Sequence, residues 1–154
     1  MKYFSYGMNT NLNSMAMRCP GAKSLGAAVL PHYAFEFKSF ATVVPDMNNE
    51  VHGVLWEISD ADLESLDRLE GFPYYYLRQR AWVETEDGWC VAWVYMMNDQ
   101  SFESIPSNGY YELCYQGYRE NGVDTTQLTE SKDRAMNIKY QDYEPFDSWY
   151  KEMF

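Results

Sequence analysis

The sequence predicts an α+β fold in which strands dominate up to about residue 106 and helices follow. Before that point the segments between turn signals are short and rich in β-branched and aromatic residues. Val51 to Ile58 is apolar on both faces, as is Trp89 to Met97, so these strands belong to a barrel or a covered sheet. From Ser107 the pattern becomes helical. No internal repeat or low-complexity tract interrupts this plan.

Each element has a local reason. Lys2 to Ser5 forms the first strand, and Gly7 in Tyr6-Gly7-Met8-Asn9 is expected to supply a turn at positive φ. A short helix fits Leu12 to Arg18, stopped by Cys19-Pro20-Gly21. Lys23 to Leu30 and Tyr33 to Phe37 read as two strands separated by Pro31, with Val51 to Ile58 as the next. Ser59 caps a helix from Asp60 to Glu70 with acids in its first turn, and Gly71 closes it with Pro73 just beyond. Tyr74 to Glu84 and Trp89 to Met97 make a hairpin around Glu86-Asp87-Gly88, the second strand being central and covered on both sides. Helices then run from Ser107 to Asn121-Gly122 and from Thr125 to about Asn137. Residues 140–154 interleave aromatics with four acids and one lysine, the composition of a segment docked on the body by its rings.

A length of 154 residues excludes a multi-domain machine. No apolar stretch approaches the roughly 20 residues that cross a bilayer, and MKYFSYGMNT lacks the features of a secretory signal, so the expected compartment is the cytoplasm. The net charge is -11, and residues 1–50 hold four bases and three acids, leaving eight bases and twenty acids beyond. Such a field repels phosphate backbones, and no basic patch exceeds the Arg78, Arg80 pair, which sets nucleic-acid binding aside. Cys19, Cys90 and Cys114 are odd in number and far from both histidines, which indicates neither a disulfide framework nor a zinc site.

Two places can carry chemistry. Steps of three and four put Leu63, Leu66, Asp67 and Glu70 in one stripe, so Glu70 points where the leucines point. There, desolvation and the electronegative helix end both raise a carboxyl towards neutrality, where it can take and return protons. A glutamate bent out to water at a helix end is the competing reading of the same residue. Tyr6 to Asn9 is the second place, because a strand running into a glycine turn can present backbone N–H groups to an anion.

These residues together carry a family resemblance. Tyr3-Phe4-Ser5-Tyr6-Gly7-Met8-Asn9 is similar to the N-terminal tyrosine, glycine, serine, asparagine loop of the γ-glutamylcyclotransferase family, which includes the γ-glutamylamine cyclotransferase branch. Val51-His52-Gly53-Val54-Leu55-Trp56 resembles the family's following strand, and Leu66-Asp67-Arg68-Leu69-Glu70-Gly71 resembles the end of the helix bearing its catalytic glutamate. Tyr95-Met96-Met97, Pro106-Ser107-Asn108-Gly109-Tyr110 and Gly117-Tyr118-Arg119-Glu120-Asn121-Gly122 are similar to its C-terminal half. The order and spacing of these stretches over residues 3–125, more than any one motif, make the match specific.

The resemblance implies a small mixed β-barrel with flanking helices over residues 1–125; residues 126–154 lie outside it and are expected, from their own composition, to be a helix and acidic aromatic tail docked on the same domain. It implies Glu70 as general acid and base, with Tyr3, Phe4, Ser5, Tyr6, Gly7, Met8 and Asn9 as the substrate-binding stretch and the backbone of Tyr6 to Asn9 holding a γ-glutamyl group. Tyr110 would contact substrate and Tyr95 would wall the pocket. The implied reaction releases 5-oxoproline and an amine or amino acid from a γ-glutamyl compound by intramolecular aminolysis. It requires no metal or cofactor, since nucleophile and electrophile are already tethered. The implied partner is a small molecule, with no nucleic acid and no membrane; monomer and homodimer stay undecided. Met8 departs from the small hydroxyl residue usual in the family, which bears on pocket shape and substrate choice. With the acidic tail it motivates two competing readings: a non-catalytic small-ligand or protein-binding module on the same fold, or an enzyme for a different metabolite.

Overall fold

The computed structural model describes residues 1–98 and 101–141, the last three of them as backbone only. In chain order the elements are β1 (Lys2–Ser5), a 3-10 turn (Met8–Thr10), α1 (Leu12–Arg18), β2 (Lys23–Lys38), β3 (Phe40–Glu57) and α2 (Asp60–Glu70). β4 (Tyr76–Thr85), β5 (Gly88–Met97), α3 (Asn108–Glu120) and α4 (Thr126–Gln141) follow. The strands close into a barrel in the order β1-β3-β2-β4-β5, the α+β mixed barrel with flanking helices that the resemblance implies. Its mixed character comes from β1, which pairs antiparallel with β3 and parallel with β5 through Tyr3 and Trp93. The seam between β2 and β4 closes through Val29 and Glu84.

The frame is two hairpins. β4 and β5 pair from Tyr76–Met97 to Thr85–Gly88, with the turn centred where Glu86-Asp87-Gly88 predicts it. β2 and β3 pair over most of their lengths and turn at Ser39, whose φ is 63°. Here the structure corrects the sequence reading. Pro31 does not divide two strands: β2 runs through it, and a bulge between Pro31 and Tyr33, with His32 at φ 66°, absorbs the irregularity. A proline is tolerated where a bulge already interrupts the ladder. β3 likewise starts at Phe40 and not at Val51: Phe40 to Pro45 pair with Lys38 to Tyr33, Asp46 to Asn49 bulge out of the ladder opposite His32, and pairing resumes at Glu50 with Pro31.

The covering of β5 also differs from expectation. Ala92, Val94 and Tyr95 are buried, but Trp89 and Val91 are 56% and 43% exposed, so the outer face of its first half meets water. The core inside and around the barrel holds Phe4, Leu30, Phe37, Val54, Leu55, Val83 and Val94. Full burial of each such side chain contributes about 1.5–3 kcal/mol. α3 packs on the 3-10 turn and buries Tyr118, which donates to the Tyr6 carbonyl at 2.5 Å. α4 lies against β2, where Arg134 and Ser131 donate to the Phe35 carbonyl at 2.9 and 3.4 Å. Of the tail read over residues 140–154 as docked by its rings, the part from residue 142 lies outside the described residues, and residues 140 and 141 continue α4. Among the described residues no helix is long and apolar enough to cross a membrane.

Candidate active site

α2 is fixed at both ends by local chemistry. The Ser59 hydroxyl accepts from Asp62 N–H while the Asp62 carboxylate accepts from Ser59 N–H, a reciprocal capping box. Gly71 ends the helix at φ 66°, a conformation open to glycine, and a Cβ there would lie 2.5 Å from the Tyr75 ring. Between these limits Leu66 is fully buried, and Glu70, one turn later, lines a cavity from a half-buried position.

Two carboxyls of this stripe diverge. Desolvation pushes the Glu70 carboxyl up to about 7, against the opposing pull of the Arg18 guanidinium. The electronegative C-terminal end of α2 acts in the same upward direction. Desolvation also works to raise Asp67, but Arg78 and Tyr95 outweigh it and hold that carboxyl below its ordinary value. Arg78 bonds both Asp67 oxygens, at 2.8 and 3.1 Å, and the Tyr95 hydroxyl donates to Oδ1 at 2.6 Å. Arg78 also stacks on Phe72 and Trp93, 4.5 and 4.4 Å from the ring centres.

The loop after β1 is clamped from two sides. Tyr6 donates to the Tyr95 carbonyl at 2.5 Å and accepts at its own carbonyl from Tyr118. Gly7 does not adopt the expected positive φ; its φ is -114°. Glycine is needed there for space, since a Cβ would meet the Tyr110 hydroxyl at 2.9 Å and Ala41 Cβ at 3.1 Å. The 3-10 turn that opens at Met8 has, like any helix start, leading N–H groups without partners inside the turn. Asn9 is buried, donating to the Tyr3 hydroxyl at 3.2 Å and accepting from Arg18 Nε at 3.1 Å. Arg18 Nη2 reaches Met8 Sδ at 3.7 Å.

A cavity of about 630 Å³ brings Glu70 together with Tyr3, Tyr6, Gly7, Met8, Asn9, Tyr95 and Tyr110. Phe4 and Ser5, the remaining residues of the predicted binding stretch, do not line it. Phe4 is fully buried in the core, and the Ser5 hydroxyl is spent on the Val54 carbonyl and the Trp56 indole. Further lining residues were not reached by sequence reasoning, among them Lys38, Phe40, Arg68 and Met97. Tyr76 and Tyr75 also line it, and the run Tyr74-Tyr75-Tyr76 after the helix was the available signal. Tyr76 donates to the Ala41 carbonyl at 2.8 Å while Tyr110 accepts from Ala41 N–H at 3.0 Å, so the two peptide groups flanking Ala41 of β3 are each pinned by a tyrosine. Burial raises the hydroxyls of Tyr3, Tyr6, Tyr76, Tyr95 and Tyr110 well above the usual phenol range, which leaves them neutral. Among the described residues no three His, Cys, Asp or Glu side chains gather as a metal site.

Residues 3–113 match the family model described as Gamma-glutamyl cyclotransferase, AIG2-like. The chain belongs to this family. The γ-glutamylcyclotransferases of Bos taurus and Homo sapiens are each 28% identical to it over 156 residues, 92% of this chain and 80% of the relative. A solved structure titled Gamma-glutamyl cyclotransferase superposes with a TM-score of 0.77 at 25% identity, covering 86% of each chain. The cyclotransferase match takes in β1, the Tyr6 to Asn9 loop, α2 with Glu70 and the start of α3 with Tyr110, and ends before α4. The residues that gather around the cavity therefore all fall inside the stretch that defines this enzyme family.

Proposed function

We propose that this chain releases 5-oxoproline from a γ-glutamyl compound by intramolecular aminolysis, with Glu70 as the proton carrier. The observation that carries the reading is a single carboxyl, pushed up to about 7, in a cavity whose lining includes five neutral tyrosines and the Tyr6 to Asn9 loop. A group with a pKa near the working pH accepts and returns protons with least penalty.

In this reading the substrate's γ-glutamyl group lies across the Tyr6 to Asn9 loop, its carboxylate or developing oxyanion facing the N–H groups that open the 3-10 turn. Glu70 takes a proton from the α-ammonium, freeing the amine to attack the γ-carbonyl carbon and close a five-membered ring. The bond to the leaving nitrogen breaks as Glu70 delivers the proton to it. The ring nitrogen gives up its second proton to the departing amine, which leaves as an ammonium, so protons balance and the ionised carboxylate is restored. Much of the acceleration comes from folding a tethered nucleophile into its reactive rotamer, a task for a rigid wall. Tyr110, bonded to Ala41 N–H and seated against Gly7, supplies such a wall, and Tyr95, fixed by Asp67, supplies another.

The test is mass-spectrometric detection of 5-oxoproline after incubating the chain and its Glu70→Gln variant with γ-glutamyl amino acids, γ-glutamyl amines and glutathione. The expected result is product from the wild type and none from the variant. Product from both would move the proton carrier elsewhere, and product from neither, with folded protein, would favour a binding module.

A further inference from the structure

The cavity continues beyond Glu70 to a solvent edge made of rings. Phe40 and Tyr75 both line it while remaining 55% and 77% exposed. Neither ring is there by default of packing. The turn bearing Phe40 is tied by Ser39 N–H to the Ser104 carbonyl at 3.2 Å and by Ser104 N–H to the Phe37 carbonyl at 2.9 Å. The Phe40 ring stands edge-on to Tyr110, 5.1 Å between centres at 89°. Tyr75 is held by its own backbone, its N–H bonded to the Gly71 carbonyl and its carbonyl to Asn98 N–H, with the ring over Gly71. The Tyr76 hydroxyl donates to the Ala41 carbonyl at 2.8 Å, so the chain neighbours of these two rings are bonded to each other in the wall that both rings line.

The charge at this edge is the opposite of the chain's. Against a net -11, the charged residues lining the cavity are Lys38, Arg68 and Glu70 among the described residues. Two cations beside exposed rings suit a group carrying both an apolar plane and a carboxylate. A cationic amine there would meet like charge.

We infer that Phe40 and Tyr75 clamp the leaving group, and that the preferred substrates are γ-glutamyl conjugates of aromatic amino acids. This rests on the cyclisation reading above and narrows it to one class of leaving group. Preorganised rings add favourable contact at little ordering cost, because each is already held by its backbone or its neighbour. The wider cavity beyond the γ-glutamyl site, about 630 Å³ in all, falls in the range of about 300–1,000 Å³ typical of small-molecule sites.

The experiment measures kcat/KM for 5-oxoproline release from γ-glutamyl-phenylalanine, γ-glutamyl-alanine and ε-(γ-glutamyl)-lysine, using the full chain and its Phe40→Ala and Tyr75→Ala variants. Both side chains are exposed, so the variants keep the core, and circular dichroism checks this. The wild type is expected to favour the phenylalanine conjugate over the alanine conjugate by about ten-fold or more. Each variant is expected to shrink that ratio by about two- to ten-fold, the worth of one aromatic contact. A wild-type ratio near one, a preference for the lysine conjugate, or variants that slow both amino-acid conjugates equally would overturn the clamp. If no conjugate yields 5-oxoproline, the cyclisation reading fails, and calorimetry with the same conjugates decides the clamp separately. Tighter binding of the phenylalanine conjugate, weakened by Phe40→Ala, would sustain it, and equal binding would overturn it.

Discussion

Asp67 and Glu70 lie one turn apart on the same stripe of α2, and their carboxyls are displaced in opposite directions. Asp67 is answered by a bidentate arginine and a tyrosine hydroxyl, whereas Glu70 faces a cavity, and the pull of Arg18 does not offset its desolvation. One helix thus presents a structural carboxylate that stays ionised and a second carboxyl poised to exchange its proton.

The raised Glu70 carboxyl works against the fold at alkaline pH. Its folded-state pKa of about 7 lies above the ordinary glutamate value, so the native state binds more protons than the unfolded one and stability falls as pH rises. The loss begins above about pH 4.5 and is complete above about pH 7. Replacing Glu70 by Gln removes it, so the variant is expected to gain thermal stability over the wild type at pH 8 by up to ~3 kcal/mol. Melting curves at pH 5 and pH 8 check this, the gap between the two proteins widening at the higher pH.

Arg18 restrains Glu70 and orders the loop at once. Its guanidinium opposes the upward shift of Glu70, and its Nε holds the Asn9 side chain. Arg18→Gln is expected to move the acid limb of kcat/KM to higher pH, because kcat/KM reports the free enzyme's essential base. Arg18→Lys, which keeps the charge and loses the fork, should restore the limb more fully than the rate. A pH–rate series on the three proteins separates the two effects.

Asp67→Asn leaves Arg78 without its carboxylate and the Tyr95 hydroxyl without its anionic acceptor. The pair is partly buried, with side chains 21% and 19% exposed, and the expected cost is about 1–3 kcal/mol at pH 7. Since the folded-state pKa of Asp67 is lowered, its contribution is present above the ordinary aspartate value and disappears as pH falls through the lowered one. Urea unfolding at pH 7 and pH 3 should show the wild-type advantage at the first and a smaller one at the second.

Gly7→Ala forces a methyl group to within 2.9 Å of the Tyr110 hydroxyl. Overpacking of this kind costs about 1–3 kcal/mol, and the shift it imposes on the Tyr6 to Asn9 loop is expected to lower kcat/KM as well. Tyr110→Phe removes the crowding oxygen, so a double-mutant cycle should give a combined loss smaller than the sum of the single ones. Additive losses would show that the two positions do not press on each other.

What the sequence discloses follows from how local each determinant is. The limits of α1 and α2 are legible because caps and stop signals sit beside them, and the Leu63, Leu66, Glu70 spacing places the carboxyl at the cavity. The first half of β3 is hidden because its pairing is dictated by β2, and Asp46 to Asn49, which bulge out of the ladder opposite His32, separate it from Val51 to Ile58. Gly7 stands out as a glycine, but its reason is the approach of Tyr110 from α3, which local pattern does not encode. Arg18 and Phe40 reach the site only through the folding of α1 and the β2–β3 turn. Phe4 and Ser5 enter the predicted stretch by contiguity with the loop, while the barrel uses them for its core and for the Trp56 indole.

In the proposed reaction the carboxyl that exchanges a proton near neutrality is the one that drives ring closure. The measurement that tests it most directly is kcat/KM for 5-oxoproline release by the wild type from pH 5 to pH 9. With Glu70 as the base, the expected profile has a single-proton acid limb with its midpoint near pH 7, the value to which burial pushes this carboxyl. A rate that stays level down to pH 5 would contradict it.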